Sequence, residues 1–292
     1  MRIPGIHHVT AIAGDPQRNL NFYTQVLGLR LVKLTVNFDD PGTYHFYFGD
    51  EAGRPGSILT FFPWAGASPG RRGSGETAAV SFAVPSLGGW AERLPATTAG
   101  RRFEQDYLQF ADPDGMVVEL IATGGEGSVI AGFHGVTLSE RQPEATQKLL
   151  TETFGYELAG TEENRLRYVS SAGNTVDILV QPELPRGLQG AGSVHHVAFR
   201  AETEEKQHSW QRELTQLGYR TTPVLDRQYF RSIYFREPGG VLFEIATDPP
   251  GFTTDESPEQ LGTRLQLPPW LEPRRSEIEG LVPRLELPVY GR

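Results

Sequence analysis

The sequence predicts an α+β fold of four β-α-β-β-β units that curl into two mixed-sheet barrels. Three observations predict it. The opening segment Gly5-Ile-His-His-Val-Thr10 is matched near the middle by Gly132-Phe-His-Gly-Val-Thr137. Two further strand starts, Ala78-Ala-Val-Ser-Phe82 and His195-His-Val-Ala-Phe199, have the same layout. Two unit ends also match: PDGMVVELIA over 113–122 and PGGVLFEIA over 238–246 are each a glycine turn followed by a strand with one acid, Glu119 or Glu244. Strand–helix–strand patterns recur by chance in many proteins, but matching starts and matching ends in the same order do not.

The units run over about 5–64, 76–123, 132–182 and 193–247. In the first, a polar turn leads to the helical pattern LNFYTQVLGLRLV from Leu20; in the third, the equivalent is ATQKLLTETFGYEL from Ala145. Gly28 and Gly155 are placed to end these helices as left-handed caps. Alternating apolar residues then return, which is strand. The second and fourth units carry helices around Trp90 and Trp210. Linkers at 63–75 and 183–192 are rich in Gly, Pro and Arg or Leu. This divides the chain into an N-terminal domain over 1–130, a C-terminal domain over 131–248, and a tail over 249–292. The tail holds many prolines and few periodic stretches. It reads as an extended segment laid over the body, or over a partner subunit of a homo-oligomer, and not as a fifth unit.

Composition narrows the function. With 27 basic against 36 acidic residues the net charge is −9, which argues against nucleic acid as a partner. The basic pairs Arg71–Arg72, Arg101–Arg102 and Arg274–Arg275 are too short to alter that. No run approaches the ~20 apolar residues of a membrane span, and the N-terminus lacks the apolar core of a signal peptide. The absence of cysteine removes thiolate nucleophiles, zinc-thiolate sites and iron–sulfur clusters. A cytoplasmic setting is expected.

Alternate residues of a strand share a face, so a ligand position must recur at one register of the repeat. Aligning the units gives His8, Ala79, Gly135 and His196 at the first such position, and Thr60, Glu119, Asp177 and Glu244 at the second. A curled sheet needs a mate to close a cavity. Pairing units one and four collects His8, Thr60, His196 and Glu244, whereas units two and three have no imidazole at these positions. Two His and one carboxylate with open positions is the arrangement of non-heme iron(II) oxygenases. Manganese(II) and zinc suit the same ligand types. A lone strand histidine or glutamate is ordinarily a core or surface group, but His-His doublets at equivalent places in two repeats are not ordinary. His45 and His134 read as structural.

The segments GIHHVTAIAGD, LRLVKLTVNFDDPGTYHFYFGD, GSVHHVAFR and DRQYFRSIYFREPGGVLFEIATDPPGF, with LPPWLE in the tail, resemble the vicinal oxygen chelate superfamily. That superfamily includes glyoxalase I, bleomycin-resistance proteins and extradiol dioxygenases, and the narrower resemblance is to its hydroquinone-cleaving dioxygenases. The resemblance implies iron(II) held by His8, His196 and Glu244. It also implies supporting parts for His7, Thr10, His195, Arg227 and Tyr234, and an aromatic diol, hydroquinone or catechol, as substrate with dioxygen. His7, His195 and Tyr234 become candidates for proton transfer, and Arg227 and Thr10 candidates for substrate binding. On a regular strand His195 would point away from His196; a part in the site requires a twist or bulge near Gly192.

Two rival readings stand beside this one. A glyoxalase-type lyase or isomerase would want a fourth protein ligand, and Thr60 is a poor one. A metal-free binding protein of the same fold would have no need for two His-His doublets.

Overall fold

The computed structural model describes residues 1–94 and 96–290. Each unit has the predicted β-α-β-β-β order. Unit one contains β1 (Ile6–Ala13), α1 (Pro16–Asn21), β2 (Arg30–Asn37), β3 (Asp40–Gly49) and β4 (Ile58–Pro63). Unit two contains β5 (Glu76–Val84), α2 (Trp90–Arg93), β6 (Thr98–Arg102), β7 (Gln105–Ala111) and β8 (Val117–Ala122). Unit three contains β9 (Gly132–Glu140), α3 (Glu144–Lys148), β10 (Glu157–Glu162), β11 (Arg165–Val169) and β12 (Thr175–Val180). Unit four contains β13 (Val194–Ala201), α4 (Glu204–Gln216), β14 (Leu225–Asp226), β15 (Phe230–Arg236) and β16 (Leu242–Pro250).

Local chemistry explains the helix ends. The Asp15 carboxylate accepts from the Arg18 amide at 2.7 Å, and Pro16 follows in the first turn, where its missing N–H costs nothing. Both α1 and α3 widen into a π-turn, over Phe22–Val26 and Leu149–Thr153. Gly28 and Gly155 end these turns at φ of 72° and 75°, the left-handed caps expected of them. The helix around Trp90 shrinks to the single turn of α2, yet Trp90 itself is buried.

The strands form two eight-stranded sheets. The first runs β14-β15-β16-β13-β1-β4-β3-β2 and the second β10-β11-β12-β9-β5-β8-β7-β6. Unit one therefore shares a sheet with unit four, and unit two with unit three. This is the pairing the distribution of histidines required. Hydrogen bonding thus joins the first and last units of the repeat region in one sheet.

The seam of the first sheet is irregular in an informative way. Antiparallel pairing of β1 with β13 runs from Ile6↔Phe199 to His8↔Ala198, passing over His7. It then runs from Thr10↔His196 to Ala11↔Val194, passing over His195. His7 and His195 are the extra residues of two β-bulges, and a bulge brings consecutive side chains toward the same side. The second sheet repeats both irregularities, passing over Ala78 and His134. Beside the His195 bulge, Gly192 sits at φ 82°, and a Cβ there would lie 2.1 Å from the Asp114 carbonyl oxygen. Only glycine fits, as the bulge near Gly192 demanded.

The tail wraps the β2 edge of unit one: Phe252 and Leu261 pack with Val32 and Tyr47, and the Gln266 amide donates to the Leu34 carbonyl. It is less extended than its prolines suggested, because Arg275–Leu281 forms a short helix, α5, packed near β3. The fully buried Lys33 of β2 reaches Asp255 at 2.5 Å and also binds Glu256. The Tyr229 hydroxyl donates to the same Asp255 at 2.9 Å. Further along, the Leu31 amide donates to the Tyr290 hydroxyl, and the Tyr44 hydroxyl donates to the Pro283 carbonyl. Among the described residues no helix is long and apolar enough to cross a membrane.

Two acids meet where the sheets adjoin. Glu237 accepts from Thr146 Oγ1 and the Gly239 and Val241 amides at 2.6–2.8 Å. Glu140 is as deeply buried, but neither of its carboxylate oxygens has a hydrogen-bond partner among the described residues. Burial, and then the nearby Glu237 charge, push the Glu140 carboxyl up to about 8. A carboxyl raised in the folded state stabilises fully below its unfolded value, and that stability is lost as pH rises through the folded value. Melting temperature measured from pH 5 to 8 should therefore fall more for the wild type than for Glu140→Gln, with the variant the more stable of the two at pH 8. Parallel pH profiles would show that Glu140 is ionised throughout.

Candidate metal centre

Three adjacent strands, β16, β13 and β1, supply Glu244, His196 and His8. All three side chains are buried. The Nε2 atoms of His8 and His196 are 3.4 Å apart. Glu244 Oε2 lies 3.3 Å from His8 Nε2 and 2.9 Å from His196 Nε2. Three donors ~2.1 Å from one ion and at right angles to one another are about 3 Å apart, so this triangle is the face of an octahedron.

The donor set fits a divalent cation on its own chemistry. Glu244 Oε1 accepts from Ser232 Oγ at 2.5 Å, while Oε2 is buried with no hydrogen-bond partner among the described residues. A buried carboxylate oxygen left in that state calls for a cation. Burial alone would raise the Glu244 carboxyl, but the His8 and His196 imidazoles hold it well below the usual carboxylate range. Burial lowers His196, against the pull of Glu244. An ionised carboxylate beside a neutral imidazole is the protonation state that metal binding needs.

The bulges supply a second row. His8 Nδ1 lies 2.9 Å from His7 Nδ1, and His196 Nδ1 lies 2.7 Å from His195 Nδ1. With Nε2 turned to the centre, each ligand imidazole carries its hydrogen on Nδ1 and donates it to its neighbour. The two acceptors differ in position. His7 is buried behind His8 and against Phe230, and does not line the cavity. His195 does line it, and burial, followed by the neighbouring His196 imidazole, lowers its imidazole to about 3.

The triad opens onto a cavity of about 420 Å³. Phe38, Phe62, Trp64, Phe230, Leu225 and Leu242 form the apolar wall. Of the other expected site residues, Thr10, Arg227 and Tyr234 are on the polar wall. Arg227 donates to Asp39 at 2.9 Å and lies over the Tyr234 ring at 5.6 Å. That contact ties the β2–β3 turn of unit one to unit four across the cavity mouth. Burial, and then the charge of Glu244, raise the Tyr234 hydroxyl, so it remains protonated.

Two site features escaped the sequence reading. Ser232, on the β15 strand beside β16, fixes Glu244. His45, read as structural, lines the cavity together with Tyr47. A signal for both was present in the repeat. Tyr47 pairs with Thr60 as Tyr234 pairs with Glu244, so the residue two before each tyrosine, His45 or Ser232, also faces the ligand register. The second sheet uses the same register differently. Arg102 and Gln109 bind Glu119, and Arg165 and Arg167 bind Asp177. His134 bonds Gln105 there, in keeping with a structural part.

Comparison with known proteins gives the family. The family model for the glyoxalase/bleomycin resistance protein/dioxygenase superfamily matches residues 5–120 and 132–245. A Bacillus subtilis protein that carries the name ring-cleaving dioxygenase MhqO is 49% identical over 300 residues, covering 96% of each chain. The chlorohydroquinone/hydroquinone 1,2-dioxygenase of Sphingobium indicum is 34% identical over 308 residues, covering 95% of each chain. A crystal structure of a Bacillus subtilis protein named as a dioxygenase superimposes with a TM-score of 0.94 at 47% identity, covering 99% of each chain.

Replacing His8, His196 or Glu244 by Ala should abolish binding of one divalent ion per chain while circular dichroism stays native. Ser232→Ala, which removes the hydrogen bond to Glu244, should weaken the ion by ~10–100-fold. Full metal occupancy in Glu244→Ala, by elemental analysis, would overturn the ligand assignment.

Proposed function

The chain belongs to the glyoxalase/bleomycin resistance protein/dioxygenase superfamily as one of its ring-cleaving dioxygenases, and from that premise we propose that it opens a hydroquinone ring in the extradiol manner, with iron(II) held by His8, His196 and Glu244. The observation that supports this best is the facial triad at the end of a cavity walled by aromatic rings. Three protein ligands leave three positions, enough for a diol oxygen and dioxygen together. Bound there, iron(II) would supply a Lewis acid for the diol oxygen and a path for electrons from the ring to dioxygen.

The chain's own residues prepare an electron-rich substrate. Phe62, Trp64 and Phe230 hold the ring and keep water from it. His195, neutral and accepting from His196 at Nδ1, carries its remaining hydrogen on Nε2 and presents it to the cavity. That N–H favours negative charge growing on a nearby oxygen and can pass a proton to it. Arg227, kept charged by Tyr234 and Asp39 despite its burial, favours an anionic oxygen from the mouth side. Tyr234 adds a hydroxyl donor, and Thr10 a hydroxyl beside the triad. His7 acts through His8 by fixing its orientation. Manganese(II) suits the same donors. A chain without cysteine and with a small diffusible substrate suits the cytoplasm.

The lyase reading lacks a fourth ligand: Thr60, at the register of Glu244, is engaged by His45 and Thr10. Oxygen uptake separates the two readings. Protein loaded anaerobically with iron(II) should consume one dioxygen per hydroquinone, and less readily with catechols. His195→Ala should lower turnover by ~10²-fold with iron still bound. Absence of oxygen uptake with every diol, in an iron-replete protein, would overturn the proposal.

A further inference from the structure

Beside the triad runs a chain of hydrogen bonds that crosses β3, β4 and β1. The Tyr47 hydroxyl lies 2.9 Å from His45 Nδ1, and His45 Nε2 lies 2.8 Å from Thr60 Oγ1. Thr60 Oγ1 donates to Thr10 Oγ1 at 2.8 Å. Tyr47, His45 and Thr10 all line the cavity, and Thr60 is fully buried beneath them.

The sense of the chain follows from counting hydrogens. A threonine hydroxyl has one, and that of Thr60 goes to Thr10. Thr60 must then accept from His45, so the His45 hydrogen is on Nε2. Burial, and then the His8 imidazole, hold the His45 imidazole well below its ordinary range, so the ring is neutral and Nδ1 is bare. Nδ1 then accepts from the Tyr47 hydroxyl. Each end is left with one free function. Among the described residues no protein atom takes the Thr10 hydroxyl hydrogen, and none donates to the Tyr47 oxygen. Thr10 is two residues from His8 on the same strand face, so its free donor is beside the triad.

Resting on the ring-cleavage reading, we infer that Tyr47, His45 and Thr60 form a directional positioning chain that selects a diol bound as its monoanion, with Thr10 donating to the ionised oxygen at the triad and the Tyr47 oxygen receiving the hydroxyl that remains protonated. A ligand with only one of these functions satisfies only one end. Hydroquinone has both, and its monomethyl ether, 4-methoxyphenol, lacks the hydroxyl that Tyr47 would receive. Tyr47, His45 and Thr60 thereby set specificity, while the metal is held elsewhere.

Two measurements test this. Nitrogen-15 NMR of the metal-free full chain should show His45 neutral, protonated on Nε2 and bare at Nδ1; Thr60→Val should disturb that tautomer and Thr60→Ser restore it. A His45 protonated on Nδ1 overturns the chain's sense and with it the proposal. In the iron-loaded protein, hydroquinone should bind about tenfold more tightly than 4-methoxyphenol, the worth of one hydrogen bond. Tyr47→Phe should erase that preference, and Thr60→Val should weaken it with iron content unchanged, Thr60→Ser again restoring it. A Tyr47→Phe protein that keeps the preference, in a wild type that takes up oxygen with hydroquinone, overturns this proposal alone. A wild type that takes up no oxygen with any hydroquinone overturns the functional reading and this one together.

Discussion

A carboxylate buried on the inner face of a half-barrel must meet positive charge or it will not remain ionised, and the rest of this structure is arranged around that demand. The repeat places an acid at one register in three of its four units: Glu119, Asp177 and Glu244. In the second sheet guanidinium groups from Arg102, Arg165 and Arg167 meet the demand. In the first sheet two imidazoles face Glu244, one oxygen is left without a hydrogen bond, and the space beyond is a cavity. One half neutralises its acids with the protein's own cations, and the other leaves its acid facing two imidazoles in a candidate cation site.

The bulges make the second arrangement workable. A regular strand would send His7 and His195 to the face opposite His8 and His196. One extra residue in each strand brings each doublet together, so that each ligand imidazole donates to the histidine before it. An imidazole with its Nδ1 engaged cannot rotate, and its Nε2 stays turned to the centre. Gly192 permits the distortion next to His195 by letting the backbone approach Asp114. The bulges recur in the second sheet at Ala78 and His134, so they belong to the repeat and not to the metal. The function has been placed on an irregularity that the fold already possesses.

Contacts between distant parts of the chain then set the size and access of the cavity. Arg227 and Asp39 meet across the mouth from units four and one. Lys33, held between Asp255 and Glu256, brings the tail against Tyr229, the neighbour of the wall residue Phe230. A charge buried as completely as Lys33 requires both partners, so the tail is part of the support of the wall and not an appendage.

Much of this was legible in the sequence. Four units, their order and the residues His8, His196 and Glu244 could be read because a repeat turns one sequence into four aligned copies, and polar residues at a strand's inward positions stand out against them. The pairing of unit one with unit four followed from which copies held imidazoles. Other features were decided only by tertiary structure. Ser232, His45 and Tyr47 look like ordinary residues of alternating strands, and their part depends on which strand lies beside which. Whether His7 and His195 share a face with their neighbours depends on a one-residue slip in pairing, which shifts every later side chain to the other side and leaves no mark in composition. The same register binds arginine in one sheet and forms a candidate metal site with two histidines in the other, because the outcome depends on side chains reaching from strands remote in sequence. Periodicity records the face a residue occupies; only the folded chain determines what meets it there.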